Sequence, residues 1–490
     1  MLNQKVNLNN RGIVLFITFI ITSMINVITI KTYTKNLSLV EYSVFTYLQS
    51  VFVLLTSLLS KWLCQSIYKF NIKYTNESEL WFNTVIFGCG LGITIIAFPT
   101  ILLLDILFQN KYISEYFWEL YLIVFSTIGI ELLNSWTQAK FKIWSYSLSE
   151  IARCLLRLFV PMTFMVWFGN DIKFFLLGYA ITNSVVLIIQ ILLSGIRLGS
   201  VKFKIFIIIV TEFLKYGMPL TGWFLCSTIM TYIDRLIIGY YWPINQVGIW
   251  TANVLLYGFA AQIISLPFIN SIHPVLLAID IQNMRGKNRF QSTLNILTTI
   301  YIYIVIIGCV AVIIFSDEIS TLFFDSQYRI DSFLVFLIVM STFFWNLGSL
   351  GNKPFEIFNL TGDMLKSVLI SLVIYLIISI VLIPYFSYTG AGLSKLISSA
   401  SYPIILYFRI KNKLPSFYWV NNLVQLFLMF FLSISFISLI LIYIKNPNVS
   451  IYLILFKLSL FIMFFSIIIL RFMKNTSNRN INFFLKRLIF

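Results

Sequence analysis

An all-α integral membrane protein of about fourteen transmembrane helices is the fold class that this 490-residue chain predicts, and three observations carry the prediction. Hydrophobic residues make up 59% of the chain and charged residues only 11%, where an ordinary soluble domain carries about 25% charge. The apolar residues gather in successive stretches near the ~20 residues that cross a bilayer as a helix. Lysine and arginine collect in the connections of one face, the bias that orients membrane helices. A helical bundle follows because a backbone facing lipid has to satisfy its own hydrogen bonds.

The first run, approximately 13–32, follows Lys5 and Arg11, lacks a small-residue cleavage site and ends at Lys31. It reads as a retained span and not as a removed signal. Runs at 43–65, 82–107, 117–138, 148–168 and 172–194 follow, with Gly, Asn and charge clusters such as Gly169-Asn170-Asp171 between them. The seventh, 213–239, is opened by Gly217-Met218-Pro219-Leu220. Runs at 247–277, 293–315, 331–350, 365–384 and 390–408 complete twelve, and 419–444 and 450–472 add two more.

With that count both termini share a face. That face collects Lys5, Arg11, Lys61, Lys69, Lys73, Lys140, Lys142, Arg197, Lys202, Lys204 and Lys215. It also holds Arg285, Lys287, Arg289, Lys353, Lys366, Arg409, Lys411, Lys413 and the basic residues after Arg471. The other face has Lys31, Lys35, Lys111, Lys173, Arg329 and Lys445. Residues 1–12 and the tail 473–490 are therefore expected in the cytoplasm. The net charge of +17 is spread over short connections and not gathered on one patch, so no nucleic-acid partner is expected.

No connection has room for a soluble catalytic domain. There is no Walker loop, HExxH, GxSxG or aspartate-rich motif, so the chain is not expected to be an enzyme or to hold a cofactor. The five cysteines, Cys64, Cys89, Cys154, Cys226 and Cys309, lie in apolar stretches without CxxC spacing, which argues against disulfides and a metal site.

An internal repeat stands at an offset of 205 residues: Gly12 falls on Gly217, and Glu41-Tyr42-Ser43-Val44-Phe45-Thr46 falls on Gln246-Val247-Gly248-Ile249-Trp250-Thr251. Copies six spans apart keep the same orientation. The expected organisation is an N-lobe at 13–194, an inter-lobe loop at 195–212, a C-lobe at 213–408 and two extra helices within 419–472. Parallel repeats about an axis along the membrane normal are a transporter arrangement, with the substrate between the halves. Any two apolar hairpins look partly alike, which is the competing account of the match.

Charges inside spans are the functional signal, since each costs roughly 2.5–3.5 kcal/mol even on lenient insertion scales. Arg153 and Arg157 share a face of the fifth span, with Glu150 one turn earlier. They offer a cationic wall in the cytoplasmic half of the membrane, or else they snorkel to its surface. Asp234 and Arg235 lie in the outer third of the seventh span, about 100° apart around the helix. Lys31 and Lys395 are candidate companions of Arg235 in an outer cationic set, with Asp234 as counter-ion; an inter-helix salt bridge is the alternative. Glu131, in the middle of the fourth span, is a candidate proton or ion carrier, or a hydrogen-bonded packing residue. His273, the only histidine, precedes Pro274 at a span end and reads as interfacial.

Tyr216-Gly217-Met218-Pro219-Leu220, Asp234-Arg235-Leu236-Ile237-Ile238-Gly239 and Gln246-Val247-Gly248-Ile249-Trp250 together resemble a hairpin of the Wzx-type polysaccharide flippases. Ile383-Pro384-Tyr385 with Gly390-Ala391-Gly392 is similar to that family's loop between spans eleven and twelve. Leu37-Ser38-Leu39-Val40-Glu41-Tyr42-Ser43 is similar to its turn in the first lobe. Ser43 and His273 depart from the usual glycine and aromatic. The family belongs to the multidrug/oligosaccharidyl-lipid/polysaccharide exporter superfamily. The resemblance implies two six-helix lobes in a V, and transfer of undecaprenyl-diphosphate-linked oligosaccharide, for O-antigen or capsule, across the bacterial inner membrane. It also implies H+ or Na+ coupling, membrane lipids and the lipid-linked sugar as partners, and contact with a polymerase and other export proteins. A lipid II-type flippase and a cation antiporter of the same superfamily are the alternatives.

Overall fold

The computed structural model describes residues 2–71, 73–74, 77–108, 111–277, 279, 284–358 and 360–411. The spans expected at 419–444 and 450–472 and the tail 473–490 lie outside the described residues. The described chain is α-helical without strands. Its helices are α1 (Leu2–Asn36), α2 (Leu39–Phe70), α3 (Glu77–Phe108), α4 (Lys111–Glu115), α5 (Phe117–Ala139), α6 (Ile143–Phe168) and α7 (Ile172–Ser194). They continue as α8 (Phe203–Tyr241), α9 (Asn245–Leu277), α10 (Met284–Ile314), α11 (Ser316–Phe323), α12 (Ser332–Gly351), α13 (Lys353–Ile357) and α14 (Thr361–Lys411).

Nine of the described helices are long and apolar enough to cross a membrane. Their outward faces carry large apolar side chains, such as Phe159, Val166, Trp167 and Phe168 on α6, which a water-facing surface does not gather so densely. The chain is a multi-pass membrane protein.

Local chemistry sets several helix starts. Ser38 and Glu41 form a capping box: the Glu41 amide donates to Ser38 Oγ at 3.3 Å and the Ser38 amide donates to Glu41 Oε2 at 2.8 Å. Asp171 caps α7 by accepting from the Lys173 amide at 2.9 Å, and Asp331 caps α12. The repeat offset recurs in the helix bounds. The break between Asn36 and Leu39 maps onto 241–244, where the structure breaks between Tyr241 and Asn245.

Several helices begin earlier than the sequence reading places them. α6 begins five residues before the expected 148, at Ile143, and α8 begins at Phe203. The eleventh and twelfth spans part, as expected, between 384 and 390: the single non-helical residue inside α14 is Ser387 (φ 50, ψ −130). The chain doubles back there. A Cβ on Gly390 would lie 2.5 Å from the Leu382 carbonyl oxygen, whereas residues eight apart in a straight helix are about 12 Å apart.

Packing divides the chain into two compact units. The first comprises Met1–Leu256, Phe324–Tyr328 and Val368–Ser394. Its spine is an antiparallel seam between α2 and α8. Ser66 Oγ donates to the Phe213 carbonyl at 2.9 Å, Thr228 Oγ1 donates to Ser57 Oγ at 3.2 Å, and Arg235 donates to Ser50 Oγ at 3.5 Å. Where α9 passes α2, a Cβ on Gly248 would lie 2.1 Å from Ser43 Oγ, so Ser43, which departs from the usual glycine, is accommodated by the glycine opposite. Edge-to-face rings of Tyr33, Phe45 and Phe175 join α1, α2 and α7, with centroids 4.9–5.8 Å apart.

Among the described residues the second unit comprises Tyr257–Phe323, Arg329–Ser367 and 395–411. Trp345 stacks on Tyr402 at 5.3 Å, and the Tyr402 hydroxyl donates to Asn352 Oδ1 at 2.7 Å. Arg409 pairs with Asp363 at 3.5 Å. An acceptor of this kind offsets the cost of burying the phenol hydroxyl with its apolar ring.

Candidate functional site

Glu150, Arg153 and Arg157 follow at three- and four-residue steps on α6, so one helix face presents all three. Arg153 donates to Glu150 Oε2 at 2.5 Å. The other Glu150 oxygen accepts from Asn134 Nδ2 at 2.6 Å, and Asn134 Oδ1 accepts from the buried Gln190 at 2.5 Å. Glu131 stands one turn before Asn134 on α5. Its Oε1 pairs with Lys61 Nζ of α2 at 3.1 Å and its Oε2 accepts from Ser60 at 2.8 Å.

Lys61 corrects the sequence reading, which places it among the cytoplasmic cations. It lies inside α2, about 13 Å before the helix end at Phe70, and is paired. Its side chain is only 27% exposed. Glu131 is likewise no isolated carboxylate, since Lys61 and Ser60 both hold it.

Arg157 donates through Nε and a terminal nitrogen to Asn183 Oδ1 at 3.2 and 3.0 Å, and its guanidinium lies 4.8 Å over the Tyr179 ring. The Tyr33 hydroxyl donates to the Arg157 carbonyl. Asn183 passes the network on to Thr127 at 3.2 Å. Arg235, only 2% exposed, lies 4.6 Å over Tyr232, and its amide donates to Asp234 Oδ1 at 2.8 Å. The Tyr375 phenol stands beside the buried Asp234, and Tyr232 lies close enough to feel the charges of both Arg235 and Arg157. Arginine stacked on a ring keeps its donor edge free for a second partner.

These cations stand at successive heights. The ends of α2 and α5 lie together, since Asn71 Nδ2 donates to the Ala139 carbonyl at 2.7 Å, and α6 begins just after. From that end, at ~1.5 Å per residue, Lys61 is ~13 Å deep, Arg153 ~15 Å and Arg157 ~21 Å, while Ser50, which meets Arg235, is ~30 Å deep. Because α6 begins at Ile143, Arg157 lies past the helix midpoint, at a height between Arg153 and Arg235.

The remaining expected residues are placed differently. Lys31 is exposed on α1, and Lys395 is half-buried in the second unit. The side chain of His273 lies outside the described residues. Lys61, Asn183, Tyr179, Tyr232 and Tyr375 escaped the sequence reading. Lys61 and Asn183 carried the signal already used for Asp234, a polar group inside an apolar run; a tyrosine in such a run carries none.

The described structure is a bundle of long apolar helices that holds Lys61, Arg153, Arg157 and Arg235 against buried polar and aromatic partners. In fold the chain resembles solved membrane transport proteins. One is the lipid II flippase MurJ in its inward closed conformation, with a TM-score of 0.75 at 16% identity over 95% of this chain and 100% of that one. Another is an inward-facing multidrug resistance MATE family transporter of the MOP superfamily, with a TM-score of 0.66 at 12% identity over 80% and 94%. No curated protein matches. The family described as "Polysaccharide biosynthesis protein" matches residues 9–280, more than half the chain, and the chain belongs to it.

Proposed function

We propose that this chain is a Wzx-type flippase that moves undecaprenyl-diphosphate-linked oligosaccharide repeat units from the cytoplasmic to the outer leaflet of the bacterial inner membrane. The observation that carries the reading is the ladder from Lys61 through Arg153 and Arg157 to Arg235, in a member of a polysaccharide biosynthesis family. Two adjacent phosphates are a strong partner for closely spaced guanidinium groups, which bind them through paired N–H donors. The prenyl tail stays in lipid while the headgroup climbs.

Movement is by alternating access of lobes at 13–194 and 213–408, both termini being cytoplasmic. The α2–α8 seam joins helices of these two lobes, so it is the surface that parts. A ligand shifts such an equilibrium only through different affinity for the two states. Arg235 is buried and Arg153 half-buried in the present state, which supports capture at the lower rungs and release at the upper ones. Asp234, Glu131 and Glu150 are the groups through which H+ or Na+ coupling would act, and Lys31 and Lys395 assist release. A polymerase and other export proteins receive the product; O-antigen and capsule units are both compatible with the site.

The likeness to MurJ favours one second reading, a lipid II-type headgroup. Depleting the protein and identifying the lipid-linked sugar that accumulates on the cytoplasmic leaflet separates the two. Repeat-unit oligosaccharide supports the first reading, and a disaccharide-pentapeptide supports the second. Intact glycan export by Arg153→Ala/Arg157→Ala at normal protein level would remove the site from the mechanism.

A further inference from the structure

Both lower rungs of the ladder are paired with carboxylates. Lys61 is held by Glu131 at 3.1 Å and Arg153 by Glu150 at 2.5 Å, and Asn134, which reaches Glu150, stands one turn from Glu131 on α5. A site meant only to attract an anion would leave its cations uncompensated. Each carboxylate also has a second, neutral donor: Ser60 on Glu131 at 2.8 Å and Asn134 on Glu150 at 2.6 Å. Deprived of its cation, neither is left without a hydrogen bond. Arg153 Nε is buried without a partner among the described residues, so the guanidinium keeps a donor in reserve.

We propose that Glu131 and Glu150 are displaceable counter-ions that admit a diphosphate headgroup and turn away the monoanionic phospholipids of the surrounding bilayer. The inference rests on the flippase reading above and adds to it a source of selectivity. The cytoplasmic leaflet is rich in anionic lipid, which gathers on any exposed basic site. A phosphodiester carrying one charge replaces only one carboxylate and trades one ionic contact for another, with nothing gained to offset the displacement. A diphosphate carries enough charge to engage Lys61 and Arg153 together, and the second charge and the paired donors of Arg153 offset the displacement of both carboxylates. Discrimination built from a repulsive element in this way rejects the competitor without weakening the intended ligand in proportion.

The test uses the full chain in vesicles with farnesyl diphosphate as probe. In phosphatidylcholine, wild type and Glu131→Gln/Glu150→Gln are both expected to bind, the variant at least as tightly. In equal parts phosphatidylcholine and phosphatidylglycerol, the wild-type apparent Kd is expected to stay within about twofold while that of the variant rises about tenfold or more. Equal sensitivity of the two proteins to phosphatidylglycerol overturns the proposal, as does loss of variant binding in phosphatidylcholine with an unchanged unfolding transition. If the double variant does not fold, Glu131→Gln alone is held to the same criteria. Wild type that binds no probe in phosphatidylcholine overturns the headgroup reading itself, and the filter with it.

Discussion

Replacing Arg157 with glutamine separates the binding role of this residue from its structural one. The Tyr33 hydroxyl contacts the Arg157 carbonyl, so that bond survives any side-chain change. Glutamine also keeps a donor for Asn183. What the fold loses is the guanidinium over Tyr179 at 4.8 Å, worth ~0.5–2 kcal/mol, and part of a charged hydrogen bond, worth ~1 kcal/mol. Stability should therefore fall by roughly 1–3 kcal/mol. A diphosphate that touches Arg157 loses a hydrogen-bonded charge pair, worth about 2–5 kcal/mol. Its affinity should drop at least ~30-fold. The assay is farnesyl diphosphate binding to purified protein, read beside unfolding in the same detergent. Affinity within about threefold of wild type, in protein whose unfolding shifts as expected, would confine Arg157 to a structural role and refute the ladder at its middle rung.

Ser57→Cys/Thr228→Cys, placed where the two hydroxyls lie 3.2 Å apart, should cross-link α2 to α8 on oxidation. Export should stop and return with reductant, and export undiminished by a complete cross-link would show that the seam does not part. Ser387→Gly should stabilise the protein by about 1 kcal/mol, because φ 50 with ψ −130 suits glycine and strains serine; denaturant midpoints measure this, and a loss of stability contradicts it. Glu212, just ahead of the seventh apolar span, is held below the ordinary carboxylate range by hydrogen bonds from Lys73 and Tyr74. A depressed carboxylate stabilises the fold above its unfolded pKa, and the contribution is lost as pH falls through the folded value. Thermal unfolding from neutral to acid pH should therefore drop more steeply in wild type than in Lys73→Met, and parallel profiles would exclude the bond as a contributor.

Much of the fold was legible because membrane insertion is a local problem. Whether residues 172–194 cross a bilayer depends on their own apolarity and length, and the helix found at Ile172–Ser194 has those bounds. The Gly, Asn and Asp punctuation worked for the same reason, since Asp171 caps a helix with its own side chain. The reversal between the eleventh and twelfth spans was legible too: Pro384 and Gly390 bracket it in sequence, and it falls at the non-helical Ser387 between them. The early start of α6 escaped because Ile143–Ser147 are neither clearly apolar nor clearly polar.

Partnership is the part that sequence does not hold. The chain by itself determined that charges such as Arg153, Asp234 and Glu131 stand inside spans and must be compensated, because the cost of an ion in hydrocarbon is a property of the residue and its depth. It also determined, through apolar run lengths and basic connections, that the protein is a polytopic helical bundle. Only the tertiary structure decided that Lys61 meets Glu131 across seventy positions of chain, that Asn134 of α5 reaches Glu150, and that Arg157 finds Asn183 while Arg235 finds Ser50. Those choices depend on the rotation and height of each helix against its neighbours. A shift of one residue turns a side chain by about 100°, and the apolar pattern of a span surrounded by lipid and protein scarcely constrains that angle.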